Sequence, residues 1–319
     1  MSYFTFSKNL SPSNWTLILL PLLFLALTFL LILPSNIHLN PLSSNCSSPT
    51  SSSRKSLSTD TTNPDYRLLI GIITLPERYE RRHLLRTVYS LQTYNTATAH
   101  VDIRFIFCNL TTREKKVFIA LEIMKYNDII ILNCTENMND GKTYKFLSGV
   151  PALFGDQPYD YVMKADDDSY IRLDNLVESL KDKSRVDMYY GLVMPCDKEN
   201  FFPFPPFMSG MGYVLSWDLI QWMAQSDFRH DETGGGPEDM WTGKMLNLNE
   251  KGKYRYDNAP RMYDYKGPSP SNCFRHEYVP DTIMVHQLKE NDRWIETLDY
   301  FNVTSALEHS KFYHIEGMT

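Results

Sequence analysis

Apolar residues fall along this chain in two rhythms. Over residues 15–33 (WTLILLPLLFLALTFLLIL) they run for nineteen positions without a charge, whereas from Tyr66 onward they come in short runs broken by turn residues. The first rhythm is that of a membrane-spanning helix, since such a run at about 1.5 Å per residue reaches roughly 28 Å, close to the hydrocarbon thickness of a bilayer. It is longer than the usual apolar region of a signal peptide and no small-x-small cleavage site follows, so a retained anchor is expected. Lys8 precedes the run with no acid beside it, and residues 34–53 carry no charge. That bias orients the N-terminus to the cytosol and the bulk of the chain to the lumen.

The second rhythm begins with YRLLIGIITLP, a continuous apolar, β-branched run ended by Pro76, which predicts a central parallel strand. ERYERRHLLRTVYSLQTY has helical spacing, with Leu84, Leu85, Val88 and Leu91 on one face and Arg81, Arg82 and Arg86 largely on the others. HVDIRFIFC, DIIIL and YDYVMKADDD read as further strands, and REKKVFIALEIMKY and KTYKFLSGVPALF as the helices between them. Strands alternating with helices predict an α/β fold with a mostly parallel sheet, in which ligands bind beyond the carboxyl ends of the strands.

Composition changes this picture in three places. Residues 34–64 shift to Ser, Thr, Asn and Pro, which cannot bury enough apolar surface to order themselves. The expected order is therefore a tail (1–14), an anchor (15–33), a flexible stem (34–64) and one lumenal domain (65–319). The triplets at Asn45, Asn109, Asn133 and Asn302 have the form of glycosylation acceptors, in keeping with a lumenal side. Of the five cysteines, Cys108, Cys134, Cys196 and Cys273 lie in the domain without CxxC spacing, leaving disulfides or buried thiols open and making zinc a poor fit. The odd Cys46 predicts an intermolecular bridge, and with it a homodimer. A net charge of -6 argues against nucleic acid as a partner.

Candidate chemistry gathers at three points. Asp166, Asp167 and Asp168 follow an apolar strand; alternation puts Asp166 and Asp168 on one side, where two carboxylates can share a divalent cation, the alternative being a solvated turn. Glu238 and Asp239 open a predicted helix behind Pro237, as a catalytic acid pair or as acids favoured in a first helical turn. Gly234 to Gly236 before them form a hinge or a plain turn. His286 in an apolar strand is a ligand or a hydrogen-bonded core residue. The aromatic and proline-dense stretch ENFFPFPPFMSGMGYVLS fits a stacking wall or ordinary core.

RLLIGIITLPERYERRHLLRTVYS, YDYVMKADDDSYIRLDNL, YYGLVMP, FPPFMSGMGYVLSWDLI, GGGPEDMWTGKML and TIMVHQL, in that order and spacing, resemble the family 31 glycosyltransferases, the β-1,3-galactosyltransferase and Fringe-like group. The resemblance covers residues 67 to 288. It implies a GT-A glycosyltransferase fold, a UDP-sugar donor, a glycan or glycoprotein acceptor, Mn2+ and an inverting transfer of a hexose, galactose in β-1,3 linkage first among the choices. It also implies a single-pass type II protein of the Golgi membrane. By resemblance Asp168 and His286 are metal ligands together with Asp166, which also contacts the nucleotide. Asp167 would assist through metal-bound water, Asp239 would be the general base, and Glu238 would hold the acceptor or the loop. Arg82, Arg86, Lys164, Ser209 and Gly210 are implied on the donor side. Thr87-Val88-Tyr89 departs from the usual Thr-Trp, and ENMNDGKTYKFL is a loose version of its segment.

Two other classes fit parts of the pattern. A membrane-anchored lectin-like binder would keep the fold without turnover, although every catalytic position here carries a competent residue. A phosphoryl-transfer metal site would use the acidic triplet, but neither a Gly-rich phosphate loop nor a basic surface accompanies it.

Overall fold

Why the first strand is apolar at every position follows from what covers it. In the computed structural model, which describes residues 63–196, 205–226, 236–268 and 270–307, β1 (Tyr66–Ile73) lies inside a seven-stranded sheet and is buried on both faces. The expected tail and anchor, nearly all of the stem, Asn45, Cys46, Gly234 and Gly235 lie outside the described residues. Among the described residues no helix is long and apolar enough to cross a membrane.

The remaining elements are α1 (Tyr79–Ser90), β2 (Ala99–Phe107), α2 (Arg113–Tyr126), β3 (Ile129–Ile131), a π-helical turn (Met138–Lys142) running into α3 (Thr143–Phe154), β4 (Tyr161–Asp166) and β5 (Tyr170–Ile171). There follow α4 (Leu173–Leu180), β6 (Met188–Met194), β7 (Phe207–Ser216), α5 (Trp217–Gln225), α6 (Glu238–Leu248), β8 (Tyr254–Asp257), β9 (Met262–Asp264), β10 (Met284–His286) and α7 (Asn291–Tyr300). The large sheet runs β3-β2-β1-β4-β7-β6-β8, with β7 antiparallel to both neighbours and the other pairings parallel. The expected alternation of strand and helix and the mostly parallel sheet are therefore present. A small sheet, β5-β10-β9, stands beside it.

Alternation along β1 feeds two cores. Leu68, Ile70 and Ile72 belong to one buried cluster with residues of α1, α4, the small sheet and Trp294, while Leu69 and Ile73 belong to another with residues of α3, α5 and α6. Gly71 makes room for the Phe146 ring, which would lie 2.1 Å from a Cβ there. Full burial of one such large side chain is worth about 1.5–3 kcal/mol, so both layers hold the strand in register.

Helix α1 corrects its expected face. Leu85, Val88 and Tyr89 are buried, but so is Arg82, whereas Leu91 is 61% exposed. The four domain cysteines pair as Cys108–Cys134 and Cys196–Cys273, which settles the choice between bridges and thiols. The first bridge joins the end of β2 to the segment before the π-helical turn; the second joins the end of β6 to the segment before β10.

Candidate active site

The carboxyl ends of β1 and β4 lie side by side, with Ile73 opposite Asp166 in register. Past that edge the chain turns through Asp167 and Asp168 into β5, and β10 returns beside it so that the Leu288 N–H donates to the Asp168 carbonyl at 2.9 Å. This crossing carries His286 to the acidic triplet from more than a hundred residues away. Its Nε2 stands 3.2 Å from Asp168 Oδ1 and 3.7 Å from Asp166 Oδ2, and its Nδ1 is 2.7 Å from Asp264 Oδ1 on neighbouring β9. With Nδ1 turned to a carboxylate, Nε2 is the nitrogen left to face a ligand.

Ligand atoms of Asp166, Asp168 and His286 lie within 4.8 Å of one another. Donors held at roughly 2.1–2.6 Å from one ion stand up to about 5 Å apart when opposite, so this set fits a single divalent cation. The electrostatics agree. Burial alone would lower the His286 pKa, but hydrogen bonds from its ring to the carboxylates of Asp166, Asp168 and Asp264 push it well above its ordinary value, so the carboxylates here attract positive charge strongly. Asp166 is partly buried, which works to raise its pKa, yet Lys164 and then His286 hold it below the usual carboxylate value.

Asp167 lies in the turn that follows β4, where strand alternation no longer applies, and is tied to the end of β1 and the loop after it. Thr74 Oγ1 at the end of β1 donates to its Oδ2 at 2.6 Å, and Arg78 Nη1 meets its Oδ1 at 2.6 Å. Burial still leaves its pKa raised, against the Thr74 and Arg78 contributions. A cavity of about 1110 Å³ opens on this side, lined by all three aspartates, His286, Arg78, Arg81 and Trp294 among others. Arg81 reaches the Leu288 and Lys289 carbonyls at 2.8 and 3.1 Å and lies over the Trp294 ring.

A second cavity, about 270 Å³, shares Asp166 and His286 with the first and is lined beyond them by Ser209, Gly210, Glu238, Asp239 and Asp264. Here α6 begins at Glu238 with both acids in its first turn, as expected. Asp239 Oδ2 accepts from the Gly210 N–H at 2.7 Å and its Oδ1 from the Met240 N–H at 2.8 Å. A Cβ at position 210 would stand 3.1 Å from that Oδ2, so glycine lets the β7 backbone approach the carboxylate. Glu238 is buried; its Oε1 pairs with the Lys164 ammonium and its Oε2 accepts from the Tyr213 hydroxyl at 3.1 Å. Burial raises its pKa, partly opposed by Lys164.

The structure thus brings together Asp166, Asp167, Asp168, His286, Ser209, Gly210, Glu238 and Asp239. It does not bring Arg82 and Arg86 with them, a correction to their expected place on the donor side. Arg82 is fully buried, with Nη2 2.6 Å from Glu122 Oε1 and hydrogen bonds to the Leu75 and Pro76 carbonyls; Arg86 is held by Asp128 and Glu122. Helical rotation turns these two toward β2 and α2 and leaves Arg78 and Arg81 at the cavity. Lys164 is a further correction: it is fully buried and lines neither cavity. Sequence reasoning did not single out Arg78, Thr74 or Asp264. Arg78 was legible as a cation in the loop after β1, where α/β sheets bind ligands, whereas nothing local marks Asp264.

The Galactosyltransferase family model matches residues 80–247, just over half of the chain. β-1,3-Galactosyltransferase pvg3 of Schizosaccharomyces pombe is 27% identical over 280 residues, covering 70% of this chain and 71% of that protein. β-1,3-Galactosyltransferase 6 of Mus musculus is 24% identical over 279 residues, covering 67% of this chain and 84% of that one. Lactosylceramide 1,3-N-acetyl-β-D-glucosaminyltransferase of Rattus norvegicus is 27% identical over 179 residues; this chain covers 47% of its length. Among solved structures, the galactosyltransferase LgtC in complex with donor and acceptor sugar analogs overlaps 77% of this chain and 98% of its own at 12% identity and a TM-score of 0.42, a likeness too low to support a conclusion.

Proposed function

The chain belongs to the galactosyltransferase family and is a glycosyltransferase, and from that premise we propose that it transfers galactose in β-1,3 linkage, with inversion, from UDP-galactose to a glycan or glycoprotein acceptor. The observation that carries the reading is the convergence of Asp166, Asp168 and His286, of which Asp166 and His286 line both cavities, with Asp239 in the narrower one. The names of two relatives support galactose and the β-1,3 linkage. We place the fold among GT-A glycosyltransferases because a mostly parallel sheet presents this acidic cluster at its carboxyl edge. The uncharged run at residues 15–33 supports a single-pass type II protein of the Golgi membrane, with the catalytic domain in the lumen.

Asp166, Asp168 and His286 would hold Mn2+, for which mixed carboxylate and imidazole donors are suited. Bound there, the ion supplies Lewis-acid stabilisation of charge on the departing diphosphate. The wide cavity receives the nucleotide sugar, and Arg78 and Arg81 direct guanidinium groups at its phosphates. The acceptor enters the narrow cavity with a hydroxyl beside Asp239. Two backbone N–H groups hold Asp239, so the remaining lone pairs of its carboxylate are aimed and available. As the acceptor oxygen forms its bond to the anomeric carbon, the bond from that carbon to the diphosphate breaks, the hydroxyl proton passes to Asp239, and UDP departs. One displacement inverts the centre, and no enzyme nucleophile is required.

The test is UDP release by the full chain in detergent, with a panel of UDP-sugars and glycan acceptors, with Mn2+ and then with EDTA. Mn2+-dependent turnover of UDP-galactose is the expected result. Turnover of another donor would correct the sugar, undiminished turnover in EDTA would remove the metal, and glycan binding without any turnover would favour a lectin-like protein.

A further inference from the structure

Lys164 stands on β4 two residues before Asp166, with its side chain fully enclosed. An ammonium has three N–H groups and no acceptor. Here it donates to the Gly210 carbonyl at 2.6 Å on β7 and to Glu238 Oε1 at the start of α6, and it forms an ion pair with Asp166 Oδ1 at 2.9 Å at the end of β4. Fully buried among these three elements and lining neither cavity, it is not open to a phosphate. Two of the three partners also bear on Asp239, because Glu238 precedes it in the chain and the Gly210 N–H donates to its Oδ2 at 2.7 Å.

We propose that Lys164 is a positioning residue for the transfer step: its ammonium locks β4, β7 and α6 together, and so sets the carboxylate of Asp239 against the metal-binding cluster without touching the donor. The proposal rests on the glycosyl-transfer reading above. It differs from a donor-ligand role in which constant it moves. A carboxylate displaced from its acceptor hydroxyl loses turnover, whereas a lost phosphate contact weakens donor binding.

The experiment compares full-length wild type with Lys164→Met, Glu238→Gln and the double variant. It measures steady-state kinetics at saturating acceptor and, independently, binding of UDP with Mn2+ by calorimetry. Lys164→Met should lower kcat about 100-fold while its affinity for UDP with Mn2+ stays within about threefold of wild type. Because the lysine and glutamate act as one unit, the double variant should lose no more turnover than the worse single variant. Weakened UDP binding with kcat preserved at saturating donor would overturn the proposal in favour of a donor ligand; unchanged constants, or additive losses, would overturn it outright. Should Lys164→Met fail to fold, the near-isosteric Glu238→Gln decides by the same split, and an unchanged kcat there sinks the idea. Wild type without turnover on any UDP-sugar would bring down the transfer reading and this proposal together, whereas an active wild type isolates the proposal.

Discussion

The two cavities share the wall made by Asp166 and His286 and differ in what faces it. The wide one is lined by Arg78, Arg81 and Lys289 together with Glu77, Glu80 and all three aspartates, with the Trp294 ring beneath Arg81. The narrow one is lined by Glu238, Asp239 and Asp264 and, among the described residues, by no lysine or arginine. On the proposed reading the two guanidinium groups of the wide chamber, each a planar fork for phosphate oxygens, would act with a cation held by the aspartates to offset its acids and receive a diphosphate. The narrow chamber has no arginine to do the same and would instead suit a neutral hydroxyl compound that gives up a proton. The difference that would separate donor from acceptor is thus the presence of arginines, not the sign of the whole lining.

Mutations that act on the converging cluster of Asp166, Asp168 and His286 should have the largest effect on turnover. Asp168→Ala removes one of the three converging ligands and should abolish Mn2+-stimulated transfer and Mn2+-dependent UDP binding together, with the circular dichroism spectrum unchanged. Residual metal-stimulated turnover would detach the cluster from the chemistry. Next comes the narrow chamber alone. Asp239→Asn keeps size and shape but cannot accept the proton, so kcat should fall roughly 10²–10⁴-fold, the usual contribution of a general base. UDP binding with Mn2+ should be retained in that variant; a loss of donor affinity would mean that the chambers are not separable.

The arginines of the wide chamber should respond in the other constant. Removing a charge-assisted contact costs about 1.5–3 kcal/mol, so Arg78→Ala and Arg81→Ala should each raise the donor KM roughly tenfold or more. At saturating donor kcat should be largely kept. If either variant lowered kcat with KM unchanged, its arginine would be acting on the reacting bond and not on donor capture.

Much of this division was legible in sequence because its signals are local. The acidic triplet after an apolar strand and the acid pair behind Pro237 are each contained in fewer than twenty residues, the strand-helix alternation is a series of such short runs, and each lies where the pattern puts it. What escaped depends on pairings across the chain. Asp264 matters only because β9 lies beside β10, which sets it against His286. Lys164 reads as one more charge beside aspartates until Glu238, 74 residues later, is folded against it. The arginines of α1 show the same limit most plainly. Helical spacing alone ranks Arg82 as a solvated residue, and only Glu122, 40 residues away, explains why it is buried.

That misplaced arginine supplies the comparison's control, with the smallest expected effect on turnover. Arg82 makes bidentate contact with Glu122 through Nε at 3.0 Å and Nη2 at 2.6 Å, inside the protein and away from both chambers. Arg82→Met leaves the glutamate without its main partner and should cost about 3–5 kcal/mol of stability, as broken buried pairs do, while turnover per folded molecule stays unchanged. The pair also predicts a pH dependence. Burial works to raise the Glu122 pKa, but the hydrogen bonds from Arg82 and Arg86 hold it below its ordinary value of 4.5. A carboxylate with a depressed folded pKa stabilises the protein above its unfolded value and loses that contribution as pH falls through the folded one. Wild type should therefore lose stability in the acid limb below about pH 4.5, and Glu122→Gln should lose less across the same interval, as judged by denaturant midpoints. If Arg82→Met instead raised the donor KM with stability intact, the wide chamber would have to be redrawn to include the inner face of α1.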